Sequence, residues 1–201
     1  MVRELPSFAG NAAVSKNRII IPEDKNSALR QMSSEVPLMQ ITGAHIQTLI
    51  ADMKALLAKE EFGVALAACQ VGESVRIFVV SGKALALREG KEEDEKDNKN
   101  PVVLPDQVYI NPELLKMSRA MKPMHEGCLS IRGKWGMVPR AEKATIRAYD
   151  EKGVRFSRGA SGFLAHIFQH EMDHLNGTLY TDKATEMYDD EPAKKKASSQ
   201  S

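Results

Sequence analysis

The stretch His170-Glu171-Met172-Asp173-His174 concentrates more chemistry-bearing side chains than any other in this chain. Four residues along an α-helix bring the second imidazole one turn on and only roughly 40° round from the first, so both can reach one metal ion. Glu171 sits at the edge of that face, close enough to handle a proton on water at the ion, as the H-E-x-x-H pattern of hydrolytic metal sites requires. Two imidazoles leave a catalytic site one protein ligand short. A metzincin frame fails, because Gly177 fits it but Tyr180 stands where the last histidine belongs. Glu186 and Glu191 lie in or beside an acidic stretch with no strong helical pattern. His166 is one turn before His170, but two turns, roughly 12 Å, from His174, too far for all three to share an ion. Cys128, in Glu126-Gly127-Cys128-Leu129-Ser130, is the remaining candidate. A thiolate with two neutral imidazoles suits Fe²⁺, Zn²⁺, Ni²⁺ or Co²⁺. Taken alone, Cys128 reads better as a buried inert thiol.

These groups need elements to hold them. Ser161 is a candidate N-cap for a helix running to about Leu175, with Asn176-Gly177 as its stop. Apolar residues from Ile46 to Leu57 recur at helical spacing, which predicts a second helix over about 43–60, with Thr42 as its cap. Val75–Val80 reads as a strand, and 108–111 and 114–118 as two short ones. Residues 143–149 alternate as a half-buried strand does, turn at 150–153 and return through 154–156. Strands ahead of a late helix indicate an α+β fold.

The chain has 201 residues, enough for one domain that holds a core without disulfides or metal staples. Its net charge of +1 speaks against a broad nucleic-acid footprint, so no DNA partner is expected. The longest uncharged stretch, 16 residues from Val36 to Ala51, is too short and polar to span a membrane. No apolar leader precedes a cleavage site at the N-terminus. The expected location is cytoplasmic, with an organellar one left open. Without a secretory signal, a disulfide between Cys69 and Cys128 is not expected. Residues 1–17 read as an irregular arm and 18–182 as a single catalytic metal-hydrolase domain. A charged insertion covers about 84–106; in its Arg88–Asn100 stretch 10 of 13 residues are charged. The tail 183–201 is expected to be disordered.

Three segments in this order resemble the motifs of the peptide deformylase family, GxGxAAxQ, EGCLS and HExxH. They are Gly63-Val64-Ala65-Leu66-Ala67-Ala68-Cys69-Gln70, Glu126–Ser130 and His170–His174; Val138-Pro139-Arg140 and the hairpin after it add to the likeness. The resemblance covers roughly residues 18–182. It implies mostly antiparallel β-sheets packed around a central helix carrying HExxH, plus the helix in the N-terminal half. It implies hydrolytic removal of the N-formyl group from the N-terminal formyl-methionine of newly synthesised polypeptides, by metal-bound hydroxide with a glutamate general base. The implied metal ligands are Cys128, His170 and His174, around one divalent ion, Fe²⁺ in the cell with Zn²⁺, Ni²⁺ or Co²⁺ as replacements. Glu171 would be the base, and the Gln70 amide and Leu129 N–H would meet the oxyanion. Gly63, Val64, Ala65, Gly127, Phe163 and Ile167 would contact substrate. The implied partners are nascent N-formylated polypeptides, with the ribosome as a candidate.

Four residues depart from the family pattern. Ala65 stands where a second glycine is usual, Arg132 where proline is, and Trp135 where a basic residue often sits. His166 occupies a usually apolar position beside the methionine pocket. Two other functions compete: a zinc peptidase or general amidase, which would cut unformylated peptides, and a homologue that binds formyl peptides or metal without catalysis. The presence of Glu171 and Gln70 speaks against the second.

Overall fold

The structure, a computed structural model, describes residues 18–86 and 104–189. Eight strands are found among them: β1 (Ala65–Ala67), β2 (Ile77–Val80), β3 (Gln107–Met117), β4 (Met121–Cys128), β5 (Ile131–Ala141), β6 (Lys143–Tyr149), β7 (Arg155–Ser161) and β8 (Glu186–Asp189). The helices are α1 (Ala44–Leu57), α2 (Gly82–Ala86) and α3 (Gly162–Leu175), with several short 3-10 turns. Five strands form one sheet in the order β1-β2-β3-β6-β7, and three form another in the order β4-β5-β8; every pairing within them is antiparallel. The architecture is α+β, as expected.

Period-two alternation decides which helix covers which face of the larger sheet. Phe78, Val80 and Tyr109 turn to the face that meets Leu164, Ile167 and Phe168 of α3. Ile77, Val79, Val108 and Ile110 turn to the opposite face, under Ile46, Leu49, Ile50 and Met53 of α1. The β2 strand is therefore buried on both sides, which explains its unbroken apolar run. Helix α3 also packs against β5 of the smaller sheet, and so lies where the two sheets meet.

Several boundaries differ from expectation. The two short strands at 108–118 are one bulged strand, β3, with register shifts after Ile110 and Leu114. At the first shift Asn111 takes φ +48°, and its side chain holds both the N–H and the C=O of Val36 at 2.8 Å. Asparagine tolerates this left-handed conformation better than other side chains, so a bulge replaces the expected break. The β4–β5 hairpin was not foreseen. Gly43, not Thr42, precedes α1, and Ser161 precedes α3 without capping it through its side chain. Residues 84–86, assigned to the insertion, complete α2, where the Gly82 N–H donates to Asp106. Residues 87–103, with the charged stretch, lie outside the described residues, as do the expected arm at 1–17 and residues 190–201.

The expected tail needs a correction, because Glu186–Asp189 form β8 and pair with Lys134–Met137 of β5. All four residues are exposed, so no buried stripe marks the strand in the sequence. Its pairing comes from the open edge of β5, aided by Thr185, whose N–H and hydroxyl both donate to Met137 O.

The end of α3 is closed by Gly177 at φ +74°, whose N–H donates to His174 O. A Cβ there would also lie 3.0 Å from the Arg30 backbone. Gly177→Ala is expected to destabilise the fold by about 1–2 kcal/mol, the usual cost of a left-handed conformation for a side-chain-bearing residue. A urea unfolding curve checks this.

Candidate metal centre

Two pieces of secondary structure converge on one point. The α3 helix brings His170 and His174 to one face, a turn apart, with Glu171 beside them. Cys128 ends β4, just before the turn to β5. Ligand atoms of Cys128, His170 and His174 all lie within 4.8 Å of one another. Cys128 Sγ is 3.3 Å from His174 Nε2 and 3.4 Å from Gln70 Nε2. Gln70 follows β1 on a 3-10 turn, and its Oε1 accepts from the Ala67 N–H at 2.8 Å, which turns the amide nitrogen toward the sulfur.

Burial tunes these groups. It holds the His174 imidazole neutral, with its pKa well below the usual value, and the neighbouring His170 adds to the effect. Burial also opposes a charge on His170, but hydrogen bonds with Cys128 and Glu126 outweigh it and lift this pKa to about 10. A metal taking His170 as ligand displaces that proton. Glu171 is almost completely buried and its Oε2 has no hydrogen-bond partner. Burial pushes its pKa up to about 7, against the pull of His170 and with a small push from Glu126. One thiol and two imidazoles converging beside an unpartnered carboxylate form a donor set that fits a divalent transition ion. Cys69 takes no part: it is fully buried, its thiol lies 3.5 Å from His174 O, and burial raises its pKa far above the usual thiol value.

The residues behind the candidate ligands carry a buried charge network. The Glu126 carboxylate, on β4, accepts from Arg140 Nε at 2.6 Å and Nη2 at 2.9 Å, and from His170 Nδ1 at 2.8 Å. Its Oε1 also lies 2.9 Å from His166 Nε2. Burial alone would raise the Glu126 pKa, but its hydrogen bonds to Arg140, His166 and His170 hold the carboxyl well below its ordinary value. Arg140 reaches on to Asp173 at 2.6 Å, and Asp173 pairs with Lys183. No spacing in the sequence assigns a role to Glu126, Arg140 or Asp173. The available signal was Arg140 itself, a charge at an inward position of an alternating strand beside Val138.

A cleft of about 390 Å³ opens over the centre. Val64, Ala65, Gly127, Leu129, Phe163 and Ile167 line it with Gln70, Cys128, His170 and Glu171. Gly63 does not; it packs below, where a Cβ would meet Glu60 and Leu57 at 2.7 and 2.9 Å. Ala65 sits in extended β1 opposite Val80, and Asn111 is the only non-glycine with positive φ among the described residues, so its methyl causes no strain. Gly127 is needed for close approach: a Cβ there would lie 2.9 Å from the Trp135 ring. Trp135 stacks on His125 at the mouth of the cleft, and Arg132 pairs with Glu60 at 2.7 Å. Phe62, 83% exposed on the rim, was not anticipated. No helix among the described residues is long and apolar enough to cross a membrane.

The sequence model of the family described as polypeptide deformylase matches residues 18–190. A peptide deformylase of Leptospira biflexa is 34% identical over 165 residues, covering 81% of this chain and 87% of that protein. One from Desulforudis audaxviator is 40% identical over 126 residues, 63% of this chain and 70% of that protein. Among solved structures, the class I type b peptide deformylase of Acinetobacter baumannii bound to Met-Ala-Ser aligns with a TM-score of 0.68 at 27% identity, covering 86% of this chain and 99% of that one.

Proposed function

The chain belongs to the peptide deformylase family, and we propose that it hydrolyses the N-formyl group from peptides that begin with formyl-methionine, at a centre formed by Cys128, His170 and His174. The observation that carries this reading is the convergence of those three candidate ligand atoms beside Glu171, whose Oε2 is buried without a hydrogen-bond partner. The Met-Ala-Ser in the Acinetobacter relative supports a methionine-first peptide in the corresponding cleft here. The three residues would hold a divalent ion, Fe²⁺ in the cell, which when bound supplies Lewis acidity and nucleophilic water at neutral pH.

This chain's own groups do the rest. Val64, Phe163 and Ile167 give the first side chain an apolar seat, with His166 as a polar part of its wall. Glu171 takes the proton of the attacking water and returns it to the leaving amine, with one carboxylate oxygen buried and free of any hydrogen-bond partner. The Gln70 amide, steadied by Ala67, and the Leu129 N–H serve as donors to the oxyanion that forms from the formyl oxygen. Gln70→Ala is therefore expected to lower kcat by about 10²–10³-fold, with a smaller change in KM. Steady-state formate assays of metal-loaded protein check it.

The direct test compares formyl-Met-Ala-Ser with its acetylated counterpart and with a longer unformylated peptide. Release of formate from the first alone supports the reading. Cleavage within the unformylated peptide would instead support the peptidase or amidase alternative. No turnover of any of them by metal-loaded protein would leave only the binding alternative.

A further inference from the structure

We propose that His166 is a positioning residue of the metal centre: its Nε2–H holds one oxygen of Glu126, so that the other oxygen is fixed on the ligand His170. The inference rests on the metal-centre reading above. It starts from the fact that Glu126 has a completely buried side chain with four donors around it. Oε1 faces Arg140 Nε and His166 Nε2; Oε2 faces Arg140 Nη2 and His170 Nδ1. An ionised carboxylate has about four acceptor positions, so each is matched by one donor. Arg140 grips both oxygens and sets the plane of the group. His166 closes the last position on the oxygen that His170 does not use.

The tautomers follow from the same contacts. Glu126 only accepts, so hydrogen sits on His166 Nε2 and on His170 Nδ1. The His170 Nε2 lone pair is then free for a metal, the usual way in which a carboxylate behind a ligand histidine orients it. The remaining nitrogen of His166 is Nδ1, which is buried without a partner. A bare lone pair is tolerable there, whereas burying an unpaired N–H is costly. His166 also lines the cleft. Its removal would leave Oε1 one donor short and would loosen the carboxylate behind His170.

The test uses full-length protein loaded with Co²⁺ and follows metal transfer to a chromophoric chelator together with the visible Co²⁺ bands. Loss of a partner behind a metal ligand typically costs 10–100-fold in metal affinity. His166→Leu is expected to weaken Co²⁺ binding by about tenfold or more and to shift the bands. His166→Asn, too short to reach Glu126, should behave alike. His166→Gln, whose amide can take the place of Nε2, should hold Co²⁺ within a few-fold of the parent. The proposal is overturned if Leu and Asn variants hold Co²⁺ as the parent does, since His166 would then only fill space. It is equally overturned if Gln is as damaging as Leu. A parent that binds no Co²⁺ at one per chain would overturn the metal-centre reading itself, a result distinct from either.

Discussion

Glu171→Gln is expected to lower formate release by roughly 10²–10⁴-fold, the contribution typical of a positioned general acid–base, with bound metal unchanged. Glutamine keeps the shape and the burial but cannot take a proton. The carboxylate it replaces has one oxygen buried without a hydrogen-bond partner, an arrangement that would be costly if it served the fold alone. The variant should therefore be no less stable than the parent. Parallel measurements of kcat, metal stoichiometry and urea midpoint check the three parts. A variant that lost metal as well as activity would assign Glu171 to the ligand set instead.

Glu126→Gln is expected to have the largest effect on stability. Glu126 and Arg140 are 2% and 3% exposed and joined by two hydrogen bonds. Breaking a buried pair typically costs about 3–5 kcal/mol, and because Arg140 keeps Asp173 as a charged partner at 2.6 Å the cost here should fall at the lower end of that range. The change also removes the acceptor behind His170, so metal binding should weaken too. The pH dependence has a definite sign. The folded-state pKa of Glu126 lies far below the unfolded carboxyl value of about 4.3. Its contribution is complete above that value and is lost as pH falls toward the folded one. Urea midpoints of parent and variant should differ most near pH 7 and converge in acid. A difference independent of pH would contradict the ionised carboxylate.

The pairing of the candidate ligand histidines with Glu171 beside them was legible because helical geometry leaves little freedom: His170 and His174 can only share a face, and α3 carries them as expected. Cys128 was legible as a candidate by elimination and as a ligand through the resemblance; the fold alone brings it to His174, across 46 residues. Strand β8 was not legible because its exposed residues show no apolar stripe, and its pairing depends on an edge offered by β5. The single bulged β3 was hidden by Asn111-Pro112, which reads as a break until the Val36 clamp is seen. The network behind the ligands was hidden for a related reason. Glu126, Arg140, His166 and Asp173 come from two strands and a helix, and ion pairs between distant segments leave no spacing to read. His166 was read as a feature of the substrate pocket; its contact with Glu126 ties it to the ligands as well.

The most direct test of the central claim is to titrate metal-free protein with Fe²⁺ under anaerobic conditions while following formate release from formyl-Met-Ala-Ser. Activity is expected to rise linearly and break at one ion per chain, and to stay near zero throughout for Cys128→Ala. Full activity before any metal is added, or a Cys128→Ala variant that follows the same rising line, would contradict the claim.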